Sequence, residues 1–201
     1  MPNRGDRGGS QTRNRISEVA TELFLRRGFE DVTIAEVAEV AGVSKVTVFA
    51  HFQRKEDLLL DRLPDAIGLV RRVVRERADD VGVVAAFRAV ALDLVDQRHP
   101  LSGLSAEAEP FVRTVLASPA LIARLRGFAS EIEARLAAEL RDDARFTGDS
   151  DLVAGLLVTA YRVVAVETTR RLLAHDDPGD LAGDHRRRLV ESFDLLESGL
   201  P

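Results

Sequence analysis

From about residue 12 onward, apolar positions recur every three to four residues and no stretch alternates with a period of two, which predicts an all-α chain of about nine helices. The first helix sets Ile16, Val19, Ala20, Leu23 and Phe24 at offsets 0, 3, 4, 7 and 8, one apolar face, and stops at Gly28. Thr33 opens the second helix with Glu36 three residues on, a capping-box spacing, and Ile34, Val37, Ala38 and Ala41 follow on one side. Gly42 supplies a turn, and Ser44 caps a third helix running to about His51 that packs through Val48 and the Phe49/Phe52 pair. A longer helix is expected from Arg54 to Arg77, kinked or split by Pro64. Gly82, the loop 99–103, Ser118-Pro119, the stretch 147–150 and the stretch 176–180 then divide the body into helices near 82–98, 105–116, 119–142, 150–175 and 181–199.

Two short helices over a three- or four-residue turn form a unit whose second helix enters the DNA major groove. Here that second helix carries small, hydroxyl and basic side chains, and the only two lysines of the chain, Lys45 and Lys55, fall in or beside it. Charge supports the picture once it is read along the chain. The net charge is −5, yet residues 1–17 carry Arg4, Arg7, Arg13 and Arg15 against Asp6 alone, and all the net negative charge lies after residue 60. The expected organisation is a disordered basic arm over 1–11, a helix-turn-helix head over 12–58, and a ligand-binding and dimerisation body over 59–201.

The absence of cysteine excludes disulfides, thiolate metal sites and cysteine nucleophiles. No G-x-S-x-G, H-E-x-x-H or phosphate-binding glycine loop occurs, and the four histidines are scattered at 51, 99, 175 and 185, so no enzyme chemistry and no cofactor are expected. The amino terminus lacks the apolar core of a secretory signal. The longest apolar run, Leu152 to Val166, is interrupted by Arg162 and falls short of the roughly 20 residues that span a bilayer, so a cytoplasmic protein with no membrane partner is expected.

With these residues in place, the first 60 or so positions resemble the TetR family of tetracycline-repressor-like transcriptional regulators. The resemblance rests on Ala20 to Phe29, Thr33 to Ala38, Ala41 to Phe52 and Lys55 to Leu59. It implies a homodimer that binds a palindromic double-stranded operator and is released by a small-molecule effector, most often as a repressor. A transcriptional activator or a ligand-independent DNA-binding protein of the same fold remains the alternative. The same pattern implies phosphate contacts at Thr33, Lys45, Thr47, His51 and Lys55, and base-edge contacts at Ser44, Lys45, Val46, Thr47 and Ala50. The chain departs from the pattern at Phe49, where the family usually has tyrosine, so this position is expected to serve packing. An apolar Val46 and a small Ala50 suggest contact with thymine methyl groups.

In the body, Leu152, Leu156, Leu157, Ala160, Val163 and Val164 cover most of the circumference of one helix, which must therefore be buried on more than one side. Together with Leu189, Val190, Phe193 and Leu196 of the last helix they predict a four-helix bundle between two copies, with Leu156, Val163, Leu189, Phe193 and Leu196 at the interface. Tyr161, Arg162 and Glu167 either orient a ligand or form an interhelical hydrogen bond and a salt bridge. Phe87, Phe111 and Phe128 are candidate pocket walls or plain core. Asp93, Asp96 and His99 lie three apart, a spacing that wanders across a helix surface and fits a solvated face better than a metal site.

Overall fold

The computed structural model describes residues 4–104, 108–174 and 178–199, which hold ten α-helices and no strand among them. The expected start of one body helix at 105 and His175 lie outside the described residues. The chain divides into two compact units, residues 1–61 with 110–125, and residues 62–109 with 126–201.

The first unit is built on α1 (Arg4–Arg27), α2 (Ile34–Val40), α3 (Lys45–His51) and α4 (Glu56–Leu59). The helix α1 begins at Arg4, inside the segment read from sequence as an unstructured arm; it extends the helix anchored by Ile16, Ala20 and Phe24, because each added residue contributes a hydrogen bond to a helix already nucleated. All three anchors are fully buried, as are Val32, Val37, Ala41 and Leu58, and α1 packs on α2, α3 and α4. The Phe24 and Phe29 rings meet at 5.0 Å, tilted by 54°. Residues 110–125, from α7 (Ala108–Ala117) and the start of α8 (Pro119–Asp142), belong to this unit too, which periodicity alone did not suggest. The buried Ser118 hydroxyl donates to Glu30 at 2.6 Å and accepts from the Leu121 N–H, while Arg124 reaches Asp57 at 2.9 Å.

The expected helix from 54 to 77 is two helices, α4 and α5 (Leu63–Glu76), and Pro64 sits in the first turn of α5, where a missing N–H costs nothing. In the second unit α10 (Pro178–Ser198) packs on α9 (Ser150–Leu173) and on α6 (Val83–Asp96), and a 3-10 turn at Pro100–Ser102 follows α6. The core joins Val70, Val74, Ala91, Val95, Leu136, Leu140, Leu157, Val164, Leu189 and Phe193. Leu189 and Phe193 are thus consumed inside their own chain, against the expectation that they meet a second copy, and Leu196 is half-buried on the same core.

Helix α9 is apolar on two opposite sides. Ala154, Leu157, Val164 and Thr168 are buried, whereas Leu152, Leu156, Val163 and Val166 are exposed. At about 100° per residue the exposed four fall within an arc of about 80°, turned about 150° from the buried set. Of the described helices, α9 alone is long and apolar enough to cross a bilayer by length and composition. That composition reflects its two apolar faces, one of which carries core residues packed among the other helices of this unit.

Candidate nucleic-acid interface

The turn between α2 and α3 is four residues, Ala41 to Ser44. Gly42 adopts a left-handed φ of 66°, its N–H donates to the Glu39 carbonyl at 3.1 Å and the Val43 N–H donates to the Ala38 carbonyl at 2.9 Å. This is a Schellman closure, which satisfies the last carbonyls of α2 and redirects the chain. A side chain at Gly42 would be strained by that φ and would also press on the Arg15 guanidinium, 3.3 Å from the position of its Cβ.

Both helices are capped by their own side chains. The Thr33 hydroxyl accepts from the Glu36 N–H at 3.3 Å, and the Glu36 carboxylate accepts from the Thr33 N–H at 2.7 Å, the full capping box. The backbone and hydroxyl donors of Thr33, then Arg27 at 2.9 Å, hold the Glu36 carboxyl down to about 2. The Ser44 hydroxyl accepts from the Thr47 N–H at 3.0 Å and lies 2.9 Å from the Thr47 hydroxyl.

Val48, 1% exposed, fixes which way α3 faces. Val46 and Ala50 are exposed on the opposite side, Ser44 and Lys45 are exposed at the start of the helix, Thr47 and His51 are half-buried, and Thr33 is exposed at the start of α2. Lys45 makes no ion pair among the described residues. Six of the eight expected DNA contacts thus stand on or beside one short helix, and Thr33 stands at the start of its partner.

The eighth, Lys55, is engaged elsewhere. Its ammonium donates to the Phe29 carbonyl at 2.5 Å and lies 4.3 Å from the Phe29 ring centroid and 5.7 Å from that of Phe24. One of its three donors thus pins the link between α1 and α2, 26 residues away in sequence, a structural role that its reading as a phosphate clamp does not include.

Phe49 requires the opposite correction. It is 51% exposed, whereas Phe52 is 2% exposed. Phe52 follows Val48 by four residues and shares its inward face; Phe49 is one residue on, about 100° round the helix. The spacing from Val48 was the signal, and pairing the two phenylalanines obscured it. The expectation also passed over Arg13, whose guanidinium stacks 4.1 Å above the Phe52 ring and donates to the His51 carbonyl at 2.6 Å, a cationic cap on the C-terminus of α3.

The residues expected around a ligand serve the core or local contacts. The Tyr161 hydroxyl donates to the Leu101 carbonyl at 2.7 Å, and burial pushes it up to about 12. Arg162 is exposed, and Glu167 pairs with Arg170 at 3.4 Å one turn on. Phe128 is buried and Phe87 half-buried on the core, while Phe111 belongs to the first unit. A cleft of about 240 Å³ in the second unit is lined instead by Val74, Arg75, Glu139, Asp142, Asp143, Ala144 and Arg145. Its charges pair among themselves: Arg75 with Glu139 at 2.6 Å, and Asp143 with both Arg77 and Arg145, the latter chiefly holding the Asp143 carboxyl down to about 2. Asp93 accepts from Gln97, Asp96 from Arg186, and the His99 ring from the Leu101 N–H, so each of that trio serves a local contact.

Residues 16–61 match the family model described as bacterial regulatory proteins, tetR family. The chain is 28% identical over 165 residues to the HTH-type transcriptional regulator TcmR of Streptomyces glaucescens, covering 80% of this chain and 72% of that one. It is 27% identical over 96 residues to the HTH-type transcriptional repressor KstR2 of Rhodococcus jostii, covering 46% of this chain and 47% of that one, about half the length of the relative. Among solved structures, a TetR-family regulator from Streptomyces coelicolor A3 superposes with a TM-score of 0.57 at 23% identity, over 92% of this chain and 96% of that one.

Proposed function

Because the chain belongs to the TetR family of bacterial regulatory proteins, a family of DNA-binding transcriptional regulators and not of enzymes, we propose that it acts as a homodimeric repressor on a palindromic operator in the cytoplasm. The observation that carries this reading is the exposed face of α3, Lys45, Val46 and Ala50 flanked by Thr47 and His51, set on a four-residue turn inside the matched segment. Two such helices related by a twofold axis enter successive major grooves roughly 34–36 Å apart. The exposed Lys45 ammonium and the Thr33, Thr47 and His51 side chains supply the phosphate contacts that set register, and Ser44, Lys45, Val46, Thr47 and Ala50 face base edges.

The second copy docks through α9 and α10. The stripe of Leu152, Leu156, Val163 and Val166 on α9, with Leu195 on α10, is apolar and exposed in the single chain, and α9 and α10 already pack together. Pairing two such helix pairs gives a four-helix bundle with a self-complementary interface. Leu156 and Val163, both exposed, are available to it, and Leu195 is the exposed apolar residue on α10 where Leu189 and Phe193 are buried.

A small-molecule effector regulates such a dimer only by binding the DNA-competent and DNA-free states unequally. A ligand-independent DNA-binding protein is the second reading, favoured by the ion pairs that already engage Arg75, Glu139 and Asp143 in the cleft. Selection of bound sequences from a random DNA pool tests the function. An enriched inverted repeat is expected, and absence of any enriched sequence overturns it. Release of that DNA by members of a small-molecule panel then separates the two readings of the body.

A further inference from the structure

The outward face of α3 is apolar at its middle. Opposite Val48, at about 100° per residue, the outermost direction falls between Val46 and Ala50, with Thr47 on one flank and Phe49 on the other. Val46 is 79% exposed and Phe49 51%, and neither is covered by its own chain. The hydroxyls of Ser44 and Thr47, the nearest polar side chains, lie 2.9 Å apart and share one hydrogen bond at the flank of this face, and Ser44 also serves as the cap of the helix. Lys45 lies on the Phe49 side, about 120° round the helix from the centre of the face. The centre of the outward face, Val46 and Ala50, therefore carries no side-chain hydrogen-bond donor or acceptor, and the polar groups stand at its flanks.

In the major groove the edges of guanine, adenine and cytosine present donors or acceptors that an apolar side chain would strip of water without replacement. The thymine C5-methyl group is the one apolar mark there, and contact with it is favourable to Val, Ala and Phe side chains alike. The exposure of Phe49 makes this more than a property of Val46 and Ala50, since the phenyl ring widens the apolar face toward the Lys45 side.

We propose that Val46, Ala50 and Phe49 form a methyl-reading face, and that each operator half-site places thymines beneath Val46 and Phe49. This rests on the DNA-binding function proposed above. The test uses the full-length protein and the DNA it selects from a random pool, with deoxyuridine replacing each thymine in turn, so that a methyl group is removed and every hydrogen-bonding group is kept. Affinity is expected to fall about three- to fivefold at the thymines beneath Val46 and Phe49, the effect of one buried methyl group. Val46→Ala and Phe49→Ala each weaken binding to the unsubstituted DNA and each lose the sensitivity to deoxyuridine at one position; circular dichroism verifies that these exposed-site variants remain folded. Equal affinity for thymine and deoxyuridine at every position overturns the proposal, as does a methyl dependence unchanged in both variants. Failure to bind any thymine-containing DNA overturns the DNA-binding function itself, a separable result.

Discussion

Acidification through the range of histidine should destabilise the second unit, and the cause is a single imidazole. His185 on α10 is fully buried, its Nδ1 lies 2.6 Å from the Thr168 hydroxyl of α9, and its Nε2 has no hydrogen-bond partner. Burial, more than any neighbour, lowers it from 6.5 to about 4; Asp184 pulls upward and Arg188 adds to the depression. The folded chain thus resists protonation that the unfolded chain accepts near pH 6.5. Between about pH 6.5 and 4 the unfolded state binds more protons, so stability falls as the pH falls through that window and is complete above it. At 1.36 kcal/mol per unit the loss reaches about 3 kcal/mol near pH 4, a large share of a typical 5–15 kcal/mol.

The two carboxyls held at about 2, Glu36 and Asp143, act with the opposite kind of shift. Their contribution is present above their ordinary values of 4.5 and 3.8 and is lost only below them. The interval from pH 6.5 to 4.5 therefore isolates His185. Urea denaturation followed by circular dichroism at half-unit steps should give a stability that declines across this interval in the native protein. In His185→Leu, which fills the site without a titratable group, the curve should be nearly flat. Parallel slopes for the two proteins would refute the reasoning.

Other perturbations separate structural from DNA-facing roles. Lys55→Met removes the ammonium from the Phe29 carbonyl and should lower the melting temperature of the protein by a few degrees while leaving the salt dependence of DNA binding unchanged; a flattened salt dependence would return Lys55 to the phosphate contacts. Thr33→Ala should cost about 1 kcal/mol through loss of the cap on α2, read by urea denaturation with no DNA present. Leu156→Glu combined with Val163→Glu should convert a dimer to a monomer in light scattering with helicity retained, whereas Leu189→Ala should cost about 2–5 kcal/mol of stability in the same urea assay, because it opens a core cavity.

The features legible in the sequence were those decided within a few residues. Thr33 and Glu36 are three apart and cap the same turn, Gly42 takes the left-handed φ it was placed to take, and Pro64 marks the break between α4 and α5. What escaped depends on partners far along the chain. Lys55 is claimed by a carbonyl 26 residues back, and Ser118 is tied to Glu30 across 88 residues, a link no periodicity encodes. The helices α9 and α10 show the other limit. Periodicity finds an apolar face but not what covers it, so Leu189 and Phe193 read equally well as interface or core until the fold assigns them to the core. Phe49 was a different failure, an aromatic residue assumed to be buried although its register beside Val48 turned it outward.

The central claim, that α3 reads DNA with Lys45 held against phosphate, is tested most directly by the salt dependence of affinity for the selected operator in the native protein and in Lys45→Ala. Each phosphate contact contributes about 0.9 to the slope of log affinity against log salt, so removing Lys45 from both copies of a dimer should flatten that slope by about two and weaken binding to all sequences alike. An unchanged slope and affinity in Lys45→Ala would contradict it.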